Sequence, residues 1–307
     1  MDVAPDPATL AAAFGLVDVD PASLSPWSPV LRGSAPDGSP VVVKRTARQA
    51  ANAHAMADWT RAAAAAGFAV VSPVALPVPN PQQVGEDWWV VYPWVAGGPY
   101  RGQPDQVRQA GDLLGRQHAL GVDPSALRGY RWPEVDRAGV AEELDELAQK
   151  VPDPALMTAL ADRWARQLPA LQAAGLPAVG VSSDFKAVNL VWPDDGGPVL
   201  VDPDNGGREP RLFDLALAVL LFHHECPTAP GRLFDDPEWT VFRDAYRAHV
   251  RLDAAEQRLW REAVDHLLWE EGGWALADND EQAWADPRQG AFLRDLATTR
   301  PDRFPLV

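Results

Sequence analysis

The stretch VGVSSDFKAVNLVWPDDGGPVLVD, residues 179–202, constrains this chain more than any other. Two short apolar runs, NLVW and VLVD, flank PDDGG, whose proline, aspartates and glycines suit the tight reversal of a hairpin. Turning back there carries the end of the second run beside the start of the first. Asp202 then comes near Asn189, and Asp184, just ahead of the first run, joins them. A convergent acid, amide and acid is what a magnesium–nucleotide site requires. One carboxylate orients or deprotonates an attacking hydroxyl, while the amide oxygen and the second carboxylate offer hard oxygen ligands to an ion that keeps several waters.

Around this hairpin the chain falls into two unequal halves. PVLRGSAPDGSPVVVKRT, residues 29–46, reads as strand, turn and β-branched strand; ARQAANAHAMADWTRAAAAAG reads as an alanine-rich helix closed by Gly67. VSPVALPVPNP is a connector, followed by the strand WWVVYPWV and the flexible pair Gly97–Gly98. Beyond it DQVRQAGDLLGRQHAL, AGVAEELDELAQK and PALMTALADRWARQLPALQAAG repeat apolar residues at three- and four-residue spacing, so a mostly helical part begins near residue 100. Within that part NLVW and VLVD are the only clear strand pair.

Composition narrows the function. The 307 residues suffice for a sizeable core or two lobes about a cleft, and no apolar run reaches the roughly eighteen residues of a membrane span. MDVAPDPATLAAAF lacks the basic start and long apolar core of a signal peptide, so a cytoplasmic protein without a membrane partner is expected. A formal charge of −16 would repel a polyphosphate backbone; nucleic acid is a poor expectation and a cationic small molecule a better one. The single cysteine, Cys226, allows no internal disulfide or cysteine metal cage. Its neighbours His223, His224 and Glu225 imitate a metal cluster, but they end the apolar run ALAVLLFHHE, which favours the polar end of a core helix. Of 27 lysines and arginines only Lys44, Lys150 and Lys186 are lysines, and two of these three sit in segments that look chemical on other grounds. A compact ammonium on a flexible stem suits a phosphate.

SSDFKAVNLVW, then VLVDPDNGG, then RLFDLALAVLLF resemble in order and spacing the catalytic loop, metal segment and following helix of the aminoglycoside phosphotransferase and choline kinase-like superfamily, small-molecule relatives of protein kinases. VVVK, WVVYPWVAGG and AGDLLGRQHAL resemble that superfamily's strand lysine, hinge and Leu-His helix, so the likeness covers nearly the whole chain. It implies an α+β, bilobal, protein-kinase-like fold: a small β-rich nucleotide-binding N-lobe over residues 1–97, and a larger, mainly helical C-lobe over residues 98–307 with catalytic loop, metal site and acceptor site. By resemblance Asp184 is the catalytic aspartate and Asn189 and Asp202 are magnesium ligands. Lys44 pairs with the ATP phosphates, and Trp94 and Val95 border the adenine, although WWVVYPWV reads equally as a packed core strand. Lys186 either neutralises the transferring phosphoryl group or is solvated. Asp214 resembles a structural aspartate that braces the catalytic loop.

Three positions depart from the pattern. Ser182 stands where the family commonly has histidine. The helix after Lys44 offers no glutamate, only His54 and Asp58, so the usual lysine–carboxylate pair falls to Asp58 or is absent. The phosphate loop SAPDGSP has few glycines, with Gly33 ahead of it and Gly38 within it. For the acceptor, REAVDHLLWEEGGWALADNDEQAW places Trp269, Glu270, Glu271 and Trp274 together, acid beside aromatic faces suited to a cationic amine or a sugar ring; an amphipathic helix with a core tryptophan explains them as well. The expected activity is transfer of the γ-phosphoryl group of ATP, with Mg2+, to a hydroxyl of a small molecule, aminoglycoside-like or another cationic amino alcohol. Alternatives are a metabolite kinase of the choline, homoserine or sugar type, and a non-catalytic nucleotide-binding protein.

Overall fold

In VVVK the side chains alternate across a pleated strand, and this alternation aims the lysine. Val41 and Val43 are buried against Leu31, Trp89 and Val91, whereas Val42 and Lys44 point to the opposite face, which lines a cleft. The computed structural model describes residues 5–25, 28–46 and 49–306. In it β1 (Val30–Ser34) and β2 (Pro40–Arg45) form the expected hairpin, with Val30 opposite Lys44. Its turn is closed by Asp37, which accepts from the Ser39 amide at 2.9 Å.

An element the sequence did not announce precedes this hairpin: α1 (Pro7–Phe14), capped by the Asp6 side chain on Thr9 N, drops Leu10 and Phe14 onto the sheet. With two apolar anchors in eight residues, its periodicity is too brief to stand out. After β2 comes α2 (Ala50–Ala65), followed by Gly67 at φ +87°. The start of the helical reading, Ala47 and Arg48, lies outside the described residues. The connector runs to Asn80, whose side chain replaces a strand partner by bonding Val74 O, Val91 O and Val91 N. β3 (Gln82–Val84) and β4 (Asp87–Pro93) complete a four-stranded antiparallel sheet in the order β1-β2-β4-β3.

The helices follow as the periodicity indicates: α3 (Pro104–His118), α4 (Arg137–Leu147) and α5 (Pro154–Ala173). The hairpin of the opening stretch is β6 (Leu190–Val191) with β7 (Val199–Leu200), paired Leu190 to Leu200. It is not the only strand pair of this half. β5 (Ala178–Val181) pairs with β8 (Gly207–Pro210), segments whose glycines and prolines hide their extended character. Gly180 lies under the Trp59 indole of α2, where a Cβ would meet Nε1 at 2.4 Å, so α2 seats directly on the strand that leads to Asp184.

α6 (Arg211–Leu221) is buried from Leu212 through Leu221, as a helix apolar on all sides must be. α7 (Asp236–Arg247) packs on α3, α8 (Ala254–Arg258) leads into α9 (Trp260–Leu267), which packs along α6, and a single π-helical turn, Leu268–Gly272, joins α9 to α10 (Gly273–Asp278). The third lysine, Lys150, bonds the Ala277 carbonyl of α10, a structural tie with no phosphate role. Among the described residues no helix is long and apolar enough to cross a membrane.

Candidate active site

Phe185 is fully buried and stacks on Phe222, so its neighbours Asp184 and Lys186 are turned the other way, into a cleft of about 1510 Å³. The loop is pinned from behind by Ala187 N on Phe222 O at 2.8 Å and ends in the short 3-10 turn Ala187–Asn189. Asn189 donates through Nδ2 to the Asp184 backbone oxygen and to its Oδ2, both at 2.9 Å. Lys186 Nζ lies 2.9 Å from Asp184 Oδ1 and 3.5 Å from Glu225 Oε2. Burial opposes the charge on Lys186, but Asp184 and then Glu225 outweigh it and hold the ammonium above the usual lysine range. Of the two readings of Lys186, the solvated one fails: the residue is 7% exposed.

Antiparallel pairing of β6 with β7 extends one bond further, Val201 N to Asn189 O at 2.9 Å, and so delivers Asp202 to the same cleft. There it meets Lys44, whose Nζ contacts Asp202 Oδ1 and lies 2.9 Å from Asp204 Oδ2. Burial works against the Lys44 charge; Asp204 and Asp202 overcome it and raise its pKa. Burial likewise pushes the Asp202 carboxyl up, Lys44 pulls it back, and Asp204 pushes it up again. The lysine–carboxylate pair expected from Asp58, or not at all, is thus made from the far side of the cleft. Asp58 is an exposed surface residue paired with Arg61 at 2.9 Å, and His54 packs edge-on against Trp88.

Above the lysine the cleft is apolar. Val42, Val71, Val95 and Val201 line it with Tyr92 and Trp94, while Arg32 lies over the outer face of the Trp94 ring at 4.6 Å. The pair Gly97–Gly98 is not loose. Gly98 exchanges both backbone hydrogen bonds with Trp192, at 2.7 and 2.9 Å, and a Cβ on Gly97 would sit 2.4 Å from the Trp192 oxygen. Only glycine lets the hinge approach β6 that closely.

Below the loop the wall is acidic. Glu270, Glu271 and Trp274 line it, as the sequence suggested; Trp269 does not, being 2% exposed and packed on Trp164. Successive residues of a helical turn point to different sides, and on the π turn Leu268–Gly272 Trp269 faces the core while Glu270 and Glu271 face the cleft. Glu209, Glu225 and Tyr130 join this wall and were not foreseen. Burial drives Glu209 up to about 7 against a 2.8 Å hydrogen bond from Ser183, a residue held at φ +54°. Burial, with Glu143 and Glu271, lifts Glu270 to about 7 as well. Tyr130 is held by a relay: Trp164 Nε1 donates to His266 Nδ1 at 3.1 Å, and Nε2 of the neutral ring donates to the Tyr130 oxygen at 2.7 Å. Burial keeps His266 neutral, with its pKa down to about 4, so the phenol retains its own proton for another partner.

Ser182, at the usual histidine position, is fully buried with no hydrogen-bond partner for its hydroxyl. Asp214 braces the α3 histidine and not the loop: its Oδ2 is 2.9 Å from His118 Nε2, whose Nδ1 is 3.0 Å from the Tyr246 hydroxyl. His223 bonds Tyr100 and the Arg232 carbonyl, and both ring nitrogens of His224 are unbonded, so these residues do not form a metal cluster. Among the described residues no three His, Cys, Asp or Glu side chains are arranged to hold a metal. Asn189 and Asp202 could hold a hard, hydrated cation: with Nδ2 of Asn189 engaged by Asp184, its Oδ1 is the oxygen left to ligate, and Asp202 brings a carboxylate to the same cleft.

Solved structures share this architecture. An amicoumacin kinase in complex with AMP-PNP, Ca2+ and Ami aligns with a TM-score of 0.67 and 19% identity over 98% of this chain and 94% of that one. A microcompartment-associated aminopropanol kinase aligns at 0.70 and 14% over 98% and 99%. A spectinomycin phosphotransferase in complex with ADP and spectinomycin aligns at 0.61 and 14% over 97% of each chain. These likenesses establish the α+β, two-lobed kinase-like fold. No curated protein matches the chain. Residues 25–225 match the phosphotransferase enzyme family, a span that holds Lys44, Asp184, Asn189, Asp202 and Asp204, and the chain therefore belongs to that family and is a phosphotransferase.

Proposed function

We propose that the protein transfers the γ-phosphoryl group of ATP to a hydroxyl of a small cationic amino alcohol, with Mg2+ as the nucleotide's counter-ion. The observation that carries this reading is the convergence in one cleft of Lys44, Asp184, Asn189 and Asp202, between an apolar pocket above and a carboxylate wall below.

The apolar pocket about Val42, Val71 and Val95 suits adenine, with the hinge backbone at Trp94 and Val95 able to bond its edge. Lys44 meets the phosphates. Asn189 and Asp202 would hold the ion, which when bound neutralises charge on the phosphate oxygens. Asp184, its carboxylate steered by Asn189, orients the acceptor hydroxyl and takes its proton as the new O–P bond forms and the bond to the bridging oxygen breaks; ADP departs with that electron pair. Lys186 faces the loop from the acceptor side and can shift its ammonium from Asp184 toward the phosphoryl oxygens. Most of the acceleration would come from alignment and charge neutralisation.

The acceptor's charge is argued from the lower wall. Glu209, Glu225, Glu270 and Glu271 face one cleft, with Lys186, Arg128 and Arg131 among its lining counter-charges, and Trp274 offers an exposed indole face to an ammonium. ADP release with a panel of amino alcohols, neutral polyols and hydroxy acids tests it. Turnover is expected with amino alcohols. Preference for a hydroxy acid would overturn the acceptor assignment, and tight Mg·ATP binding with no release for any hydroxyl would favour a nucleotide-binding protein.

A further inference from the structure

A lysine 6% exposed and facing phosphates needs a counter-charge that fixes it without consuming it, and α2 supplies none. Its buried residues are Ala53, Met56, Ala57, Trp59, Thr60 and Ala63. Asp204 is the alternative. It is 8% exposed, and both of its oxygens are engaged: Oδ1 accepts from Tyr92 OH at 2.7 Å and from Thr46 Oγ1 at 2.9 Å, and Oδ2 lies 2.9 Å from Lys44 Nζ. Tyr92 belongs to β4 and Thr46 follows β2, so two strands of the sheet grip an aspartate delivered by the segment after β7. Asp202 differs: among the described residues Lys44 is its only side-chain partner, and its side chain is 33% exposed.

We infer that Asp204 is the positioning residue of Lys44, replacing the absent helix carboxylate from the opposite lobe, while Asp202 is released to the nucleotide's ion. This rests on the phosphotransfer reading above. Two hydroxyl donors hold Oδ1 while Lys44 lies against Oδ2, and a carboxylate fixed in this way aims the ammonium. Its consequence is architectural. Lys44 is tied to the metal segment and not to α2, so nucleotide binding senses the closure of the sheet onto residues 202–204.

The test is a double-mutant cycle read by calorimetric Mg·ATP affinity, which needs no acceptor. Lys44→Ala, Asp204→Asn and the double variant are compared with the unaltered protein, with melting temperatures taken on each. Asp204→Asn is expected to weaken Mg·ATP on the order of tenfold or more, but to add nothing in the Lys44→Ala background. In that background it should also leave the Mg2+ requirement unchanged, whereas a metal ligand would still raise it. Asp58→Ala should leave affinity as it was. If Asp204→Asn does not fold, Tyr92→Phe with Thr46→Val loosens the same anion and should weaken Mg·ATP only when Lys44 is present. Unaltered affinity in the folded variants, or a loss that persists without Lys44, overturns the assignment. An unaltered protein that does not bind Mg·ATP overturns the phosphotransfer reading itself, and is seen before any variant is made.

Discussion

Asn189 donates through one amide nitrogen to both the backbone oxygen and Oδ2 of Asp184, each at 2.9 Å. The acid is thereby held from inside the loop, so its orientation does not depend on bound nucleotide. Replacing Asp184 by asparagine should leave Mg·ATP affinity and melting temperature close to those of the parent, and lower turnover on the order of 10²–10⁴-fold, the range of a positioned general base. Affinity, melting and turnover measured on one preparation check this. A folded variant that keeps most of its turnover would reduce Asp184 to a loop cap.

Asp202 meets Lys44 in the cleft and keeps a third of its side chain exposed, so its carboxylate is open to a cation. Asp202→Asn should raise the Mg2+ concentration needed for half-maximal activity and depress turnover even at saturating metal. A magnesium titration of ADP release is the measurement, and parental magnesium dependence in the variant would remove Asp202 from the metal site.

Gly180 fixes where α2 sits, since a Cβ there would meet the Trp59 indole at 2.4 Å. An indole buried to 4% exposure cannot swing aside freely. Gly180→Ala should therefore destabilise the protein by about 1–3 kcal/mol, the usual cost of overpacking. Chemical denaturation checks this; a variant as stable as its parent would mean that α2 and β5 separate easily.

The parts of the site written in local residue chemistry were legible beforehand. PDDGG between two apolar runs determined the turn, and register then forced Asp202 beside Asn189; VVVK fixed the facing of Lys44 by alternation alone. Asp204 was in plain view two positions after Asp202, with Pro203 keeping Asp202 extended so that both acids reach the same side. Its role was hidden because it depends on Tyr92 and Thr46, remote in sequence and joined only by folding. Trp269 was misread for a different reason. Adjacency in the sequence groups it with Glu270 and Glu271, but successive helical residues point about 100° apart, so neighbours in the chain face different sides. Ser183 and Glu209 carried no signal at all, since a serine in a loop and a glutamate between arginine and proline look like surface residues.

Glu209 and Glu270, both lifted to about 7, make the carboxylate wall of the cleft sensitive to pH near neutrality. Below pH 7 these carboxyls are mostly protonated and attract a cation weakly; above it they are charged. With Mg·ATP saturating and an amino alcohol that stays protonated throughout, kcat/KM for the acceptor should rise between about pH 6 and 8 and then level. Stability should move the other way. The ordinary value of these groups is 4.5, so between about 4.5 and 7 the folded chain keeps protons that the unfolded chain has released. Folding is then linked to proton uptake: the contribution is fully present below pH 4.5 and is lost as pH rises through 7. Glu270→Gln should flatten part of both profiles, weakening the acceptor at pH 8 more than at pH 6 while reducing the loss of stability with rising pH. The measurements are acceptor kcat/KM and melting temperature across pH 5 to 9 for the parent and the variant. A parental profile that is flat or falls from pH 6 to 8 would show that the wall does not bind a cation through these carboxylates.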